Sequence, residues 1–471
     1  MTETLESPRA GPSSLNRWPN AADIHLFDTE DGPHLLLVDG SQLFKIDEDL
    51  SRRLAVAATD GRETVRAVLT EQGLGRTRFI GDEPLADPPL RALSLAVAER
   101  CNLGCTYCYA EGGSFGGAAR NMPWEVAEAS VRRLFAQAER GERVTLAFLG
   151  GEPLTNRPVI RRATELAAAI AGERGIPIGF SITTNGTLLT PYDAEFFERY
   201  GFAVTVSLDG IGAVHDRLRP TKGGRGSYDK VIANVRPLLA RQRRTQVSAR
   251  VTVTPANLGL RATLDHFIAL GFHTVGFSPM LSAPTRRGEM QAPDLDVLLE
   301  EMIVCGREFE RRTLAGETYP FANMLTALEQ IHRGTHRPYP CGAGAGYFGV
   351  SASGGLFACH RFVEDDAGSM GHVSEGVDRE RQRRWLAQRM VDRQEPCRSC
   401  WARYLCGGGC HYEVIHRGRP ACDYIRGWLD YALGAYVRLS AQRPDLLART
   451  APGASRSAGA PVAVDNNASV P

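Results

Sequence analysis

Lysine is almost missing from this chain. It occurs only at Lys45, Lys222 and Lys230 among 471 residues, and arginine carries the remaining positive charge, a compositional bias rather than a chemical signal. The charges balance to a formal net of +1, so no field of one sign is available to gather nucleic acid or an anionic membrane. Long apolar runs are also absent. None reaches the ~20 residues a membrane helix needs, and the first twenty residues lack an apolar signal core. These absences imply a cytoplasmic protein with no nucleic-acid or membrane partner. What is present is a globular composition, 43% hydrophobic and 23% charged, in the ordinary range and long enough for two or three domains. Eleven cysteines in a reducing compartment argue for metal ligation over disulfides.

Three of those thiols sit together in Cys101-Asn102-Leu103-Gly104-Cys105-Thr106-Tyr107-Cys108. Such a loop can wrap three corners of an iron–sulfur cube and leave the fourth iron without a protein ligand. A structural metal site is closed, whereas an open position is where a substrate or cosubstrate binds. The alternatives are a partial zinc site or buried thiols.

Residues 1–20 are Ser/Pro/Gly-rich and read as a flexible tail. In 21–85, Ile24–Phe27, His34–Val38 and Gln42–Ile46 read as short strands with Asp-Gly turns at Asp31-Gly32 and Asp39-Gly40. Helical periodicity follows through Leu50, Leu54 and Val56, then Val65, Val68 and Leu69. From 90 to 290, strand patterns near Leu93–Val97 and at Val144–Leu149, Gly179–Thr184, Val204–Leu208, Val247–Val253 and Thr274–Ser278 alternate with helical ones. The helical stretches are Pro123–Arg140, Val159–Ala171, Pro191–Tyr200, Tyr228–Arg241 and Leu260–Leu270. That alternation implies parallel βαβ units. Six units fit an α/β fold of the partial (β/α)6 barrel type, whose chemistry sits at the C-terminal strand ends. The cysteine loop follows the first strand, at that rim. A helical bridge at 291–340 holds Cys305 among apolar residues, a core thiol. The last region, 341–435, is cysteine-rich, and 450–471 is an Ala/Ser/Pro/Gly-rich tail read as disordered.

Rim residues can be taken strand by strand. Gly150-Gly151-Glu152-Pro153 allows a close backbone approach to a ligand, with a carboxylate suited to an ammonium group. Thr183-Thr184-Asn185-Gly186 and Ser207-Leu208-Asp209-Gly210 put polar side chains before glycine turns. Asp209 is the candidate proton acceptor. Downstream, Cys341, Gly354 and Cys359 precede Cys397-x2-Cys400-x5-Cys406-x3-Cys410 and Cys422. A zinc ribbon is the alternative for the Cys397–Cys422 block.

With Asn-Leu after the first cysteine and an aromatic before the third, the Cys101–Cys108 loop resembles the signature of the radical S-adenosylmethionine (AdoMet) enzymes. The later cysteines resemble the SPASM extension of those enzymes that modify peptides. The resemblance covers about Ala92 to Cys422. It implies a 4Fe-4S cluster on Cys101, Cys105 and Cys108, with AdoMet on its open iron. Gly150, Gly151 and Glu152 would hold the amino group. Asn185 and Ser207 would face ribose or carboxylate, Arg219 would pair with the carboxylate, and the Tyr107 backbone would lie against adenine. Two auxiliary 4Fe-4S clusters are implied, an outer one on Cys397, Cys400, Cys406 and Cys422, and an inner one on Cys341, Cys359 and Cys410. The inner one lacks a fourth cysteine; an open iron, Asp365, Asp366 or a histidine could complete it. The 21–85 region resembles the leader- or substrate-peptide-binding module of peptide maturases, which adds a peptide strand to a sheet edge; a structural extension of the barrel is the alternative.

Cys108–Gly117 and Ser207–Pro220 resemble thioether-forming maturases, of which the closest is the quinohemoprotein amine dehydrogenase γ-subunit type. That type joins Cys sulfur to Asp or Glu side-chain carbon in a small Cys-rich polypeptide. The implied partners are that polypeptide, with or without a leader, and a low-potential donor such as flavodoxin or ferredoxin. Another SPASM maturase, forming either an α-carbon thioether or formylglycine, is the alternative. A non-enzymatic electron carrier is a third reading, against which a Gly-Gly-Glu-Pro turn argues.

Overall fold

The computed structural model describes residues 23–74, 81, 83–334 and 338–445; the expected tails at 1–20 and 450–471 lie outside the described residues. Period-two alternation builds the small N-terminal sheet. Its strands β1 (Ile24–Thr29), β2 (Gly32–Leu37) and β3 (Gln42–Lys45) pair antiparallel in chain order. On one face, Ile24, Leu26, Leu35 and Leu37 pack on Leu54 and Ala57 of α1 (Glu48–Asp60) and Val65 and Leu69 of α2 (Arg62–Glu71). On the other, Phe27, Leu36 and Val38 join the main core of the molecule. Val56, expected on the apolar helix face, is 63% exposed: at 100° per residue it falls beside Leu54 and Ala57 in sequence but outside their stripe.

The barrel strands form where the sequence pattern puts them. β4 (Ala92–Ala98), β5 (Val144–Gly150), β6 (Ile178–Thr184), β7 (Ala203–Ser207), β8 (Gln246–Val253) and β9 (Thr274–Pro279) run parallel in chain order. The helices α3 (Trp124–Phe135), α4 (Arg157–Arg174), α5 (Pro191–Tyr200), α6 (Ala213–Leu218), α7 (Tyr228–Arg241) and α8 (Leu260–Ala269) connect them. All of β4 is buried, whereas β8 alternates buried and half-buried residues. Both α4 and α5 end on a left-handed glycine, Gly175 and Gly201, which explains sharp stops after Arg174 and Tyr200. The helix expected over Pro123–Arg140 ends early, at Phe135, and the short α6 was not anticipated.

The sheet stays open at β9. Beyond it come α9 (Ala292–Leu314) and α10 (Ala322–His332). Asn323 uses its side-chain amide as a one-residue strand, accepting from Phe277 N (2.9 Å) and donating to Phe277 O (3.0 Å). The opposite edge is extended. β10 (Tyr347–Val350) pairs parallel to β4, and β11 (Gly355–Phe357), β12 (Ser369–His372) and β13 (Gly376–Val377) continue from it antiparallel, making one ten-stranded sheet. The division expected between 90–290 and 341–435 is therefore crossed by a single hydrogen-bonded sheet. Among the described residues four α-helices follow: α11 (Arg379–Arg389), α12 (Arg403–Cys406), α13 (His411–Arg417) and α14 (Cys422–Gln442), the last running past the expected end at 435.

The cysteine-rich region also anchors the N-terminal sheet. His25 stacks on Trp401 with ring centroids 3.6 Å apart, and its Nε2 meets Asp430 Oδ1 at 2.7 Å. Arg403, 2% exposed, pairs with Asp23 (3.3 Å) and Asp39.

Candidate active site

The cysteine loop leaves β4 at the C-terminal rim and is fixed from both sides. Gly104 N donates to Pro220 O (2.8 Å), Lys222 N to Asn102 O (3.2 Å), and Leu103 bridges Thr221. At the strand end, Glu99 is fully buried, accepting from Ala352 N (2.7 Å) and Arg120 Nε (2.7 Å). It ties the first turn of the loop to the β10–β11 connection. The three thiols are half-buried, and Cys105 lies within electrostatic reach of Cys101 and Cys108. Burial pushes Cys105 up to about 12, partly opposed by Arg219.

At the next strand end the glycines do what a ligand alone would not demand. A Cβ on Gly150, whose φ is 140°, would sit 2.2 Å from Ala98 O, and one on Gly151 would sit 2.3 Å from Arg100 O and 2.7 Å from Gly113 Cα. Gly151 N and Glu152 N bond to Ala98 O (2.8 Å) and Arg100 O (2.9 Å). The close approach expected toward a ligand is made first toward the chain's own backbone, seating this turn under the cysteine loop.

Glu152 is fully buried. Its Oε1 accepts from Leu154 N (3.0 Å) and Thr184 Oγ1 (2.8 Å), its Oε2 from Asn185 N (2.8 Å). Burial pushes its acidity down, raising the pKa, while those donors pull it back. The carboxylate thus locks the β5 and β6 ends together. Asn185 Nδ2 reaches Cys101 Sγ (3.6 Å) and Asn102 Oδ1 (2.9 Å), and its Oδ1 accepts from Thr187.

The fourth strand end carries Asp209, fully buried, with Oδ1 accepting from Thr252 N (2.9 Å) and Oδ2 from the Tyr107 hydroxyl and Arg219 Nη1 (3.4 Å). Burial raises its pKa against the pull of Arg219. Arg219 Nη1 also donates to Tyr107 Oη (2.8 Å), and both Cys101 and Cys105 lie within its electrostatic reach. Arg219 Nε is buried without a hydrogen-bond partner. An unpaired guanidinium N–H inside a protein is costly unless an anion meets it. Behind this group, His215 Nδ1 accepts from Asp209 N (3.2 Å), its Nε2 meets Ser227 Oγ (3.1 Å), and that hydroxyl donates to Arg219 O (2.6 Å). Ser207 ends β7 at the same rim, half-buried, in register with Arg250.

Asp209, the expected proton acceptor, is thus paired with Arg219 and Tyr107. Both oxygens of Asp209 are engaged by chain donors, and its geometry is that of an anchor for Arg219. The phenol of Tyr107, of which only the backbone was expected to take part, is the third member of that unit. Neither role had a local signal, although His215-Asp216-Arg217 lies inside the motif that carries Arg219.

The remaining thiols form two groups. Cys359 lies within electrostatic reach of Cys410 and Cys341, and Cys406 within reach of Cys397, Cys400 and Cys422. Burial pushes Cys397 up to about 11 and Cys406 to about 12. The sequence reading divides the same thiols into an inner and an outer set. Among the described residues no three of His, Cys, Asp or Glu converge on a point that one metal ion could fill; thiolates on separate irons of a cube stand further apart. Asp365 is engaged elsewhere, capping Ala367 N (3.0 Å) and meeting His416 Nε2 (2.7 Å). His360, beside Cys359, is buried with Nδ1 on Tyr347 Oη (2.8 Å). Cys305 is fully buried in α9, as expected of a core thiol. The donor set fits soft iron–sulfur chemistry, and the orphaned N–H of Arg219 fits a carboxylate.

Residues 95–258 match the Radical SAM superfamily model. The chain is 26% identical over 361 residues to a serine-type anaerobic sulfatase-maturating enzyme of Klebsiella aerogenes, covering 74% of this chain and 86% of that one. Its fold is similar to that of anSMEcpe with bound AdoMet, at a TM-score of 0.65 and 21% identity, covering 77% of this chain and 98% of that structure. The same protein with AdoMet and the Cp18Cys peptide gives 0.62 and 20%, covering 75% and 99%. This similarity favours the sulfatase-maturation alternative over the γ-subunit thioether reading. Among the described residues, no helix is long and apolar enough to cross a membrane. Matched residues and shared architecture give this chain the radical SAM fold, joined through its sheet to a cysteine-rich C-terminal region.

Proposed function

We propose that this chain is a radical AdoMet enzyme that oxidises a side chain within a peptide or small protein, of the sulfatase-maturating kind. The observation that carries the reading is the meeting of three neighbouring thiols with Arg219, whose Nε is buried and unpaired, at the C-terminal rim of a partial barrel. A 4Fe-4S cluster on Cys101, Cys105 and Cys108, with AdoMet, would supply a carbon radical able to take a hydrogen atom from substrate, releasing methionine.

The chain's own residues supply position. Arg219, held by Asp209 and Tyr107, offers its free N–H to the AdoMet carboxylate. Gly150 and Gly151 keep the amino-binding turn pressed to the cysteine loop, with Glu152 bracing it from β6. Asn185 fixes the loop through Cys101 and Asn102. Asp209 is assigned anchoring in place of proton transfer. Formylglycine formation from Ser removes two hydrogens: one would leave Cβ as an atom, taken by the AdoMet-derived radical, and the hydroxyl proton would leave to water as one electron passes on. The C-terminal thiol groups, read as holding two auxiliary 4Fe-4S clusters, are the candidate destination of that electron, with a flavodoxin- or ferredoxin-like donor priming the first cluster. In the small sheet, β3 hydrogen-bonds to β2 alone among the described strands, which leaves an edge on which a leader segment could add.

The deciding experiment is anaerobic reconstitution with AdoMet and reductant, offering a Ser- or Cys-containing sulfatase-type peptide beside a Cys-rich polypeptide. A hydrazide-reactive aldehyde on the first supports sulfatase-type maturation. Loss of two hydrogens with a blocked thiol on the second supports the thioether reading. Failure to release 5′-deoxyadenosine with either peptide refutes both.

A further inference from the structure

Arg361 stands where the rim loop and the C-terminal thiols adjoin, two residues past Cys359. Its Nη1 donates to Glu413 Oε1 (2.6 Å) and lies 3.7 Å from Cys410 Sγ, and its Nη2 donates to Ser282 O (3.3 Å). The guanidinium lies over the rings of Tyr412 (4.5 Å to the centroid) and Tyr109 (5.3 Å), and its Nε is buried without a hydrogen-bond partner. Cys359 is also within its electrostatic reach. Tyr109 follows Cys108 directly and lies within reach of both Cys108 and Cys359. One cation therefore lies beside two thiols of the inner set and an aromatic ring within reach of both this set and the first.

We propose that Arg361 sets the reduction potential of the iron–sulfur group held by Cys341, Cys359 and Cys410, raising it, with Glu413 as the opposing charge that trims the effect. The proposal rests on reading those cysteines as cluster ligands. Its physical basis is charge. Reduction adds one electron to the cluster, so a fixed cation on a ligand sulfur stabilises the reduced form more than the oxidised form. Burial strengthens that preference, because little solvent screens it. A fixed anion at the same place acts in the opposite sense. Arg361 does not touch substrate in this scheme; it positions charge, making the inner group the easier acceptor for the electron that substrate oxidation releases.

The test uses the full chain with Cys101, Cys105 and Cys108 all replaced by Ala, reconstituted anaerobically and titrated electrochemically under EPR, so that only C-terminal centres report. The parent is expected to show two reducible centres. Arg361→Gln should shift one wave to lower potential and leave the other in place. Glu413→Gln should shift that same wave upward, and Arg361→Lys, which keeps the charge, should stay nearer the parent than Arg361→Gln. A common direction for the two neutral variants, no shift in either, or an equal shift of both waves would overturn the proposal, since a packing defect has no reason to follow the sign of the charge removed. If Arg361→Gln fails to retain iron, Glu413→Gln decides alone, and an unmoved or lowered wave refutes the assignment. Iron for a single cubane in the parent would overturn the ligand reading itself, and the proposal with it.

Discussion

The first thiol set and the two later ones reach the same end by opposite routes. Cys101, Cys105 and Cys108 lie on one loop, and their mutual approach is a matter of local chain geometry. Cys341, Cys359 and Cys410 come from a bend ahead of β10, a bend after β11 and the start of α13, and they meet because β10 adds to β4 and folds the tail back on the rim. The first set can be read from spacing. The others depend on long-range pairing, so their integrity should answer to distant residues as well as to their own.

The largest expected effect tests whether the sets are independent. Cys101→Ala, Cys105→Ala or Cys108→Ala should reduce 5′-deoxyadenosine release to background while the C-terminal iron stays bound, measured by product analysis and iron content on one sample. Loss of all iron would mean that the regions form one unit. Next comes the dependence of the C-terminal region on remote contacts. Arg403→Ala removes the buried partner of Asp23 and Asp39 and should cost about 3–5 kcal/mol, seen as a lower denaturation midpoint and faster hydrogen exchange in β1–β3. Unchanged exchange there would show that the His25–Trp401 stack suffices.

The corresponding change under the first set is local. Gly151→Ala would drive a Cβ into Arg100 O and Gly113 Cα; overpacking of this kind costs about 1–3 kcal/mol. AdoMet affinity should fall with it while the C-terminal clusters keep their spectra. The smallest effect concerns the support behind Arg219. Burial holds the His215 pKa down near 3, with Arg219 adding to the shift. The unfolded chain takes up that proton near pH 6.5. Between those values the unfolded state binds more protons, so the stability contributed by neutral His215 is complete above about pH 6.5 and declines as pH falls toward 3. The stability gap between the wild-type chain and His215→Gln should therefore narrow from pH 7 to pH 5, and a constant gap would remove His215 as its source.

Much of the fold was legible because its signals are local. Strand and helix periods located β4–β9, and α5 and α7 have the expected bounds. Three strands and two helices were equally readable in 23–74, but whether that region packs on the barrel was not. The unbroken apolar run Leu35-Leu36-Leu37-Val38 says that both faces are apolar without naming what covers them. In the site, the thiols, Gly150–Gly151, Glu152 and Arg219 were found from motif, yet their partners were not. Glu99, His215, Arg361 and Glu413 carry no spacing signal, because each acts across more than one element.

By itself the sequence determined which residues could bear the chemistry and at which strand ends they would lie, since spacing and period are properties of neighbouring residues. Only the tertiary structure decided what each does there. It set Asp209 against Arg219, Tyr107 and Thr252, and pressed two glycines onto backbone. It also ran one sheet from the barrel into the cysteine-rich tail. Those outcomes depend on which distant groups compete for the same donors and the same space, and that competition exists only once the chain has packed.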